Sequence, residues 1–312
     1  MLGLLGALFG PRVRLPRDQV TRLPRSARKA AKAEIAALQA ALDKISAMPG
    51  VADIKNNGRV PRGFYAAVDE LHTAYDAYAA VARKFLPIDE DTKRPGEPGG
   101  TAACYAGPMP VHQVEALAIY RAARSWRDFQ SVAKDMGELG EQLFKEIQSG
   151  HTGKDPEKIR MTGKAVQNGR IALAKAMRPC PLLDEGKQRC RVWEHRPIAC
   201  RMHHPTSGGD AHRPDASGYP KEAKAVNLRL PVKQQVTMQQ LDKRMALELS
   251  PFLYASTLQV LQLADGSLIQ EVGEAPVKMQ QDGQVSQRAN RNVRHAKKFQ
   301  KRTKSKGKKK KK

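Results

Sequence analysis

The chain has 312 residues, a formal net charge of +24, 40% hydrophobic residues and only 5% aromatic ones. With so few rings its core must be mostly aliphatic and alanine, and the abundant Ala, Leu, Lys, Arg, Glu and Gln favour helix. No apolar run approaches the roughly 20 residues that a membrane-crossing helix needs, so a spanning segment is excluded from its sequence.

The charge sits at the ends. Residues 287–312 hold 14 Lys or Arg and no acid, and residues 11–32 hold eight against Asp18 alone. That leaves +3 of the +24 for everything between, so the body is nearly balanced and the basicity concerns what the ends touch. Met1–Phe9 is apolar, but its positive charges follow the apolar run instead of preceding it, the wrong order for a secretory signal. It reads either as a start tucked onto the core or as a weak interfacial anchor, with Arg12, Arg14 and Arg17 at the headgroups. The expected location is cytoplasmic, where cysteines serve as thiols or metal ligands more often than as structural disulfides.

In chain order, the spacing of Ile35, Leu38, Leu42 and Ile45 predicts a helix over 26–47, ended by Met48-Pro-Gly50. A second helix is predicted over 61–85. On it Asp69, His72 and Asp76 share one face, which reads as a solvated side although the trio could in principle bind a metal. Residues 87–110 are rich in Pro, Gly and charge and form a loop that ends near Cys104. Residues 112–148 read as the longest helix, with Gly137 and Gly140 as the places where it could be interrupted. A further helix over 155–177 is capped by Asp155-Pro156. Beyond residue 205 come a polar loop, a strand over 225–232, a helix over 237–263 and a short strand over 268–272. From residue 280 onward little remains to bury, so a disordered basic tail is expected over 280–312. The expected organisation is a flexible segment 1–25, then a helical domain 26–279. The fold class is mainly α with a small β element around a cysteine-rich metal site (α+β), whose core spans about 96–205.

Three of the four cysteines, Cys180, Cys190 and Cys200, stand at equal spacing, with His203 and His204 just after them. Asp184-Glu185-Gly186 reads as a turn, Arg189 to Trp193 as a short strand, and Arg196-Pro197 as its break. A turn, strand and turn can place thiolates around one point at the roughly 2.3 Å zinc–sulfur distance. The spacing is looser than a C-x2-C knuckle. From pattern alone a metal site, a disulfide or redox pair, and unrelated core thiols all stay open.

The run Cys180-Pro-Leu-Leu-Asp, then Arg189-Cys-Arg-Val-Trp-Glu194, then Arg196-Pro-Ile-Ala-Cys-Arg201 resembles the cysteine-cluster family of zinc- or iron-chelating domains (CxxxCxxCC type). In that family an upstream C-x3-C-x2-C-C cluster precedes a helix. If Cys104 is its last cysteine, the other three positions here hold Gly96, Gly100 and Ala103. The resemblance implies a single four-coordinate site of Cys104, Cys180, Cys190 and Cys200, with His203 or His204 replacing Cys104 if it is not a ligand. Four thiolates around a divalent ion carry a net −2, which Arg189, Arg191, Arg196 and Arg201 could offset. Arg196 and Arg201 are the expected hydrogen-bonding neighbours of the ligands. Thiolates suit zinc, ferrous iron and iron–sulfur clusters alike, so the cofactor is zinc or iron, with a cluster not excluded.

No nucleotide loop or H-E-x-x-H motif appears, and a Cys200 thiolate nucleophile beside Arg201, His203 and His204 is the less economical account. The chain therefore reads as a binding protein more readily than as an enzyme, and no small-molecule substrate is identifiable. The first reading is metal held in a structural or metal-handling role. The alternatives are a nucleic-acid- or ribosome-associated protein with a structural zinc, and a metal- or iron–sulfur-dependent redox or transfer enzyme. Lys297, Lys298, Lys301, Arg302, Lys304, Lys306 and Lys308 of the tail can neutralise phosphates without reading sequence. An anionic membrane surface is a second candidate partner, and a merely solubilising tail a third.

Overall fold

The computed structural model of the protein describes residues 23–88, 93–105, 109–149, 163–206, 209–247, 249, 260 and 270–273. The apolar start, the basic tail, the start of the helix expected at 155 and nearly all of 250–269 lie outside the described residues. The elements are α1 (Arg25–Ala30), α2 (Lys32–Ala47), α3 (Ile54–Asn57), β1 (Arg59–Val60), α4 (Phe64–Ala82), α5 (Gln113–Ala123), α6 (Phe129–Ser149) and α7 (Gly163–Lys175). They continue with β2 (Leu183–Asp184), β3 (Arg189–Cys190), α8 (Ile198–Arg201), β4 (His203–Pro205), β5 (Ala225–Asn227), α9 (Val232–Met245) and β6 (Gln270–Glu271). The fold is mainly α with a small β element, as the composition predicts. Its strands form three two-stranded pieces: β2–β3 and β4–β5 antiparallel, and β1–β6 parallel.

Helix α4 is the central beam. Phe64, Val68, Leu71, Tyr75 and Tyr78 of α4 are buried in one core with Leu38, Leu42 and Ile45 of α2 and Val114, Leu117 and Ile119 of α5. The Tyr75 hydroxyl donates to the Leu228 carbonyl and that of Tyr78 to the Arg229 carbonyl at 3.1 Å. These two bonds satisfy buried hydroxyls and tether the segment between β5 and α9.

Three expectations need correction. The long helix predicted over 112–148 is two helices, and α6 runs straight through Gly137 and Gly140. The break falls at 124–128, where Trp126 N–H donates to Ala123 and Phe129 N–H to Trp126. That turn presents Trp126 and Asp128 to Arg191, a docking partner that residue spacing along a helix does not reveal. The last long helix begins at Val232 behind Pro231, not at 237, and ends where Ala246 turns left-handed at φ 50°. The strand predicted over 225–232 is confined to Ala225–Asn227, because the chain then leaves β4 to meet the α4 tyrosines.

His112 caps α5, and its ring Nδ1 lies 2.6 Å from Asp242 of α9. Burial works against its positive charge, but the Asp242 carboxylate beside it and Glu115 prevail and push its pKa up to about 9. A raised histidine pKa contributes stability that is complete below the ordinary value near 6.5 and lost as pH rises through 9. We therefore expect the urea midpoint to fall between about pH 7 and 10 by an amount worth roughly 3 kcal/mol, and Asp242→Asn to flatten that fall. An unchanged pH profile in Asp242→Asn would remove the pair from the account.

Candidate metal centre

Four separate pieces of chain bring the cysteines together. Cys104 lies in the helical turn Thr101–Tyr105, and its carbonyl accepts the Cys180 N–H at 2.9 Å. Two side-chain bonds fasten the same turn to the β2–β3 loop: Thr101 Oγ1 to Gln188 Oε1 at 2.7 Å, and Tyr105 Oη to Glu185 Oε1 at 2.9 Å. Cys190 closes the β2–β3 hairpin opposite Leu183 and donates its N–H to the Gly96 carbonyl at 3.0 Å. Cys200 sits in α8, started by Pro197 whose fixed φ suits the position before a helix.

Gly96, at φ 83°, is held to glycine twice over. Its backbone is left-handed, and an added Cβ would meet Cys190 Cβ at 2.7 Å. At Gly100 a Cβ would meet the Arg94 carbonyl oxygen at 2.2 Å. Packing therefore keeps side chains out of two of the positions at which the resembled family carries upstream cysteines. This loop gives the site backbone instead: the Gly96 amide hydrogen-bonds the Cys104 sulfur, as the Val192 amide does for Cys190.

The thiols lie within electrostatic reach of one another. Burial pushes the Cys200 thiol well up, and the charges of Cys190, Cys180 and Cys104 push it further, against the pull of Arg196. Cys104 is raised by burial and then by Cys180 and Cys190, with the Gly96 amide and Arg196 opposing. Cys190 is raised by burial, against the Val192 amide, Arg196, Arg201 and Arg189. Without a cation among them these thiols hold their protons. Among the described residues no group of three or more His, Cys, Asp or Glu side chains is already disposed as a cage for an ion.

Arg196 is the arginine common to these thiols. It is 2% exposed, stacks 3.4 Å from the ring centroid of Trp193 and donates Nη1 to the Pro95 carbonyl at 3.0 Å. No carboxylate pairs with it among the described residues; Asp76 acts on it only through its charge. Burial, then the Arg94 and Arg201 charges, bring its pKa down to about 10. Arg201 is buried too, with Nε on the Arg196 carbonyl at 2.9 Å, a further bond to the Glu194 carbonyl, and Nη1 on Asp76.

The face of α4 carrying Asp69, His72 and Asp76 is only partly solvated: His72 is buried, and the two part-exposed carboxylates dock this segment, which corrects the sequence reading. Asp69 Oδ1 lies 3.0 Å from His195 Nδ1, and Asp76 takes Arg201. His72 faces Glu115, which accepts the Ile198 N–H at 2.6 Å and the His112 N–H at 2.9 Å. Glu115 is fully buried, and burial alone would raise its pKa. The His72 contact, the charges of His112 and His72 and the Ile198 amide instead hold it below the usual carboxylate range. Glu115 was missed in the sequence, where its only signal is one acid inside the apolar run Val114–Leu117 of α5.

The two histidines differ. His203 Nδ1 lies 3.1 Å from Asn227 Oδ1 and its ring stands edge-on to His212, with centroids 5.7 Å apart. His204 is buried, and neither of its ring nitrogens has a hydrogen-bond partner. Burial brings both pKa values down to about 4, so both rings are neutral. His203 Nδ1 faces an acceptor and so carries the ring proton, which leaves its Nε2 lone pair free, and His204 likewise keeps one nitrogen able to ligate.

The thiols lie in a mainly helical body, within electrostatic reach of one another and of a buried guanidinium. Residues 130–225 match the model of the family described as "Putative zinc- or iron-chelating domain", the family that Cys180 to Arg201 resembles. The match takes in Cys180, Cys190, Cys200, His203 and His204 and starts beyond Cys104, so Cys104 reaches the cluster through the fold, from outside the matched stretch. No curated protein and no solved structure matches the chain. Among the described residues no helix is long and apolar enough to cross a membrane.

Proposed function

We propose that the protein binds one zinc or iron centre through Cys104, Cys180, Cys190 and Cys200, in a structural or metal-handling role. Arg196 carries this reading. A guanidinium removed from water is costly unless an anion stands near it, and no carboxylate pairs with this one. Asp76 and Glu97 lie within reach of its charge, but both are paired with Arg94 or Arg201, which leaves the thiols, anionic once they bind a metal, as the partners still uncommitted. Four thiolates on a divalent ion leave a net −2 facing Arg196, with Arg201 and Arg189 as further cations. The donor set is soft and closed, which suits zinc or iron and leaves no open position for a substrate. On binding, the thiols give up their protons, so affinity weakens in acid. The Gly96 and Val192 amides favour the thiolate form of Cys104 and Cys190.

Elemental analysis and an absorption spectrum of anaerobically purified protein test this directly. One zinc per chain without colour, or iron with thiolate absorption, is expected. Protein that holds neither metal and binds neither when offered would refute the proposal. The basic tail, with Lys297, Lys298, Lys301 and Arg302 among its 14 cations, supports association with nucleic acid or another polyanion as a second property of the same chain.

A further inference from the structure

The folded body has a basic face of its own. Arg25, Arg28, Lys29 and Lys32 are all exposed, and their spacing places them on one side of the run that joins α1 to α2. The helical ladder continues across Ala31, with Ala31 N–H on Ala27 and Ile35 N–H on Ala31, both at 2.9 Å, so the four cations are held in line. The opposite side is committed to the interior: Ala27, Ala31 and Leu38 are fully buried. Beside α1 packs the turn Arg83–Phe85, which closes α4 and adds Lys84 and the exposed ring of Phe85. Among the described residues Arg25, Arg28, Lys29, Lys32 and Lys84 make no ion pair or side-chain hydrogen bond, unlike Lys44, Arg94, Arg178, Arg191 and Arg213, which all have carboxylate partners. The nearest acid on these helices, Glu34, has a carboxylate oxygen buried. Asp89, Glu90 and Asp91, which follow the turn in sequence, lie outside the described residues.

We propose that this face binds the phosphodiester backbone of a nucleic acid, without reading its sequence. The stripe from Arg25 to Lys32 is about 10 Å long, the axial length of roughly three phosphates of one strand. Ser26, Ala30 and Ala33 border the stripe, at about 80–140° round the helix from Arg25, so only small side chains flank the cations on that side. A lipid surface fits less well. An interfacial helix needs a free row of large apolar side chains beside its cations, and here the apolar row is spent on the core. The face is read from the folded body alone and does not depend on the metal centre or on the tail.

The test is binding of the full chain to a fluorescein-labelled mixed-sequence oligonucleotide, as RNA and as DNA, between about 50 and 200 mM salt. Arg25→Gln/Arg28→Gln/Lys29→Gln/Lys32→Gln is compared with a charge-matched variant on other faces, Arg62→Gln/Lys145→Gln/Lys221→Gln/Lys243→Gln. The first should bind about tenfold or more weakly near physiological salt, with a log–log salt slope shallower by about 3. The second should stay within about twofold of the parent, since it removes charge and no phosphate contact. Arg28→Gln/Lys29→Gln alone should show about half the slope change, which keeps the test open if the fourfold variant folds poorly by circular dichroism. Equal losses in both fourfold variants would mean net charge alone and overturn the proposal. So would no loss in either, which leaves binding to the tail, or a loss seen only with phosphatidylserine vesicles.

Discussion

Cys200→Ser should abolish metal binding. Cys200 is the thiol on which the other three converge, since the charges of Cys190, Cys180 and Cys104 all act on it. Its place in the fold is also firmly fixed. Its helix is fixed at Ile198 by Glu115 and at Arg201 by Asp76, and both partners come from long core helices. A serine keeps the volume and loses the soft donor, so three thiols would remain beside Arg196. Cys180→Ser and Cys190→Ser should also bring bound metal to background after gel filtration. Cys104→Ser is the discriminating case. If the chain retains metal there but loses it in Cys104→Ser/His204→Ala, His204 has supplied the fourth ligand, as its uncommitted ring nitrogens allow. Full retention in both Cys190→Ser and Cys200→Ser would end the proposal.

The helices that make the core were legible because their apolar residues repeat at helical spacing, as Leu38, Leu42 and Ile45 do, or Val68, Leu71 and Tyr75. What sequence could not show was where polar residues find one another across the fold. Asp69, His72 and Asp76 were visible as one face of a helix, and a charged face ordinarily meets water. Only the path of residues 193–201 across that face turns it into a dock. The break at 124–128 was hidden for the same reason, since Trp126 and Asp128 gain their meaning from Arg191, far along the chain. Three of the cysteines were conspicuous by spacing. Cys104 was joined to them through the family resemblance, whereas in the structure its place beside Cys180 depends on a backbone hydrogen bond and a left-handed glycine. Those are properties of conformation, which composition and periodicity do not carry.

Glu115→Ala should destabilise the fold by about 3–5 kcal/mol, the range for removing one partner from a buried charged network. The carboxylate is fully buried, and two backbone N–H groups depend on it: Ile198 at the start of α8 and His112 at the start of α5. His72 across from it is nearly as buried, with its Nε2 3.5 Å from the carboxylate. With alanine in place, two amides lose their acceptor where water cannot replace it, and the His72 ring loses the carboxylate it faces. Glu115→Gln should cost less, about 1–3 kcal/mol, because the amide oxygen can still serve one N–H while the charge is lost. Because α8 carries Cys200, the alanine variant should also release metal to a chelator faster than the parent, even at temperatures where it remains folded. Urea unfolding followed by circular dichroism gives the first quantity and a chelator competition the second. Midpoints equal to the parent in both variants would show that α8 is held by its packing alone. A loss of stability with unchanged chelator kinetics would separate the fold's need for Glu115 from any role in placing Cys200.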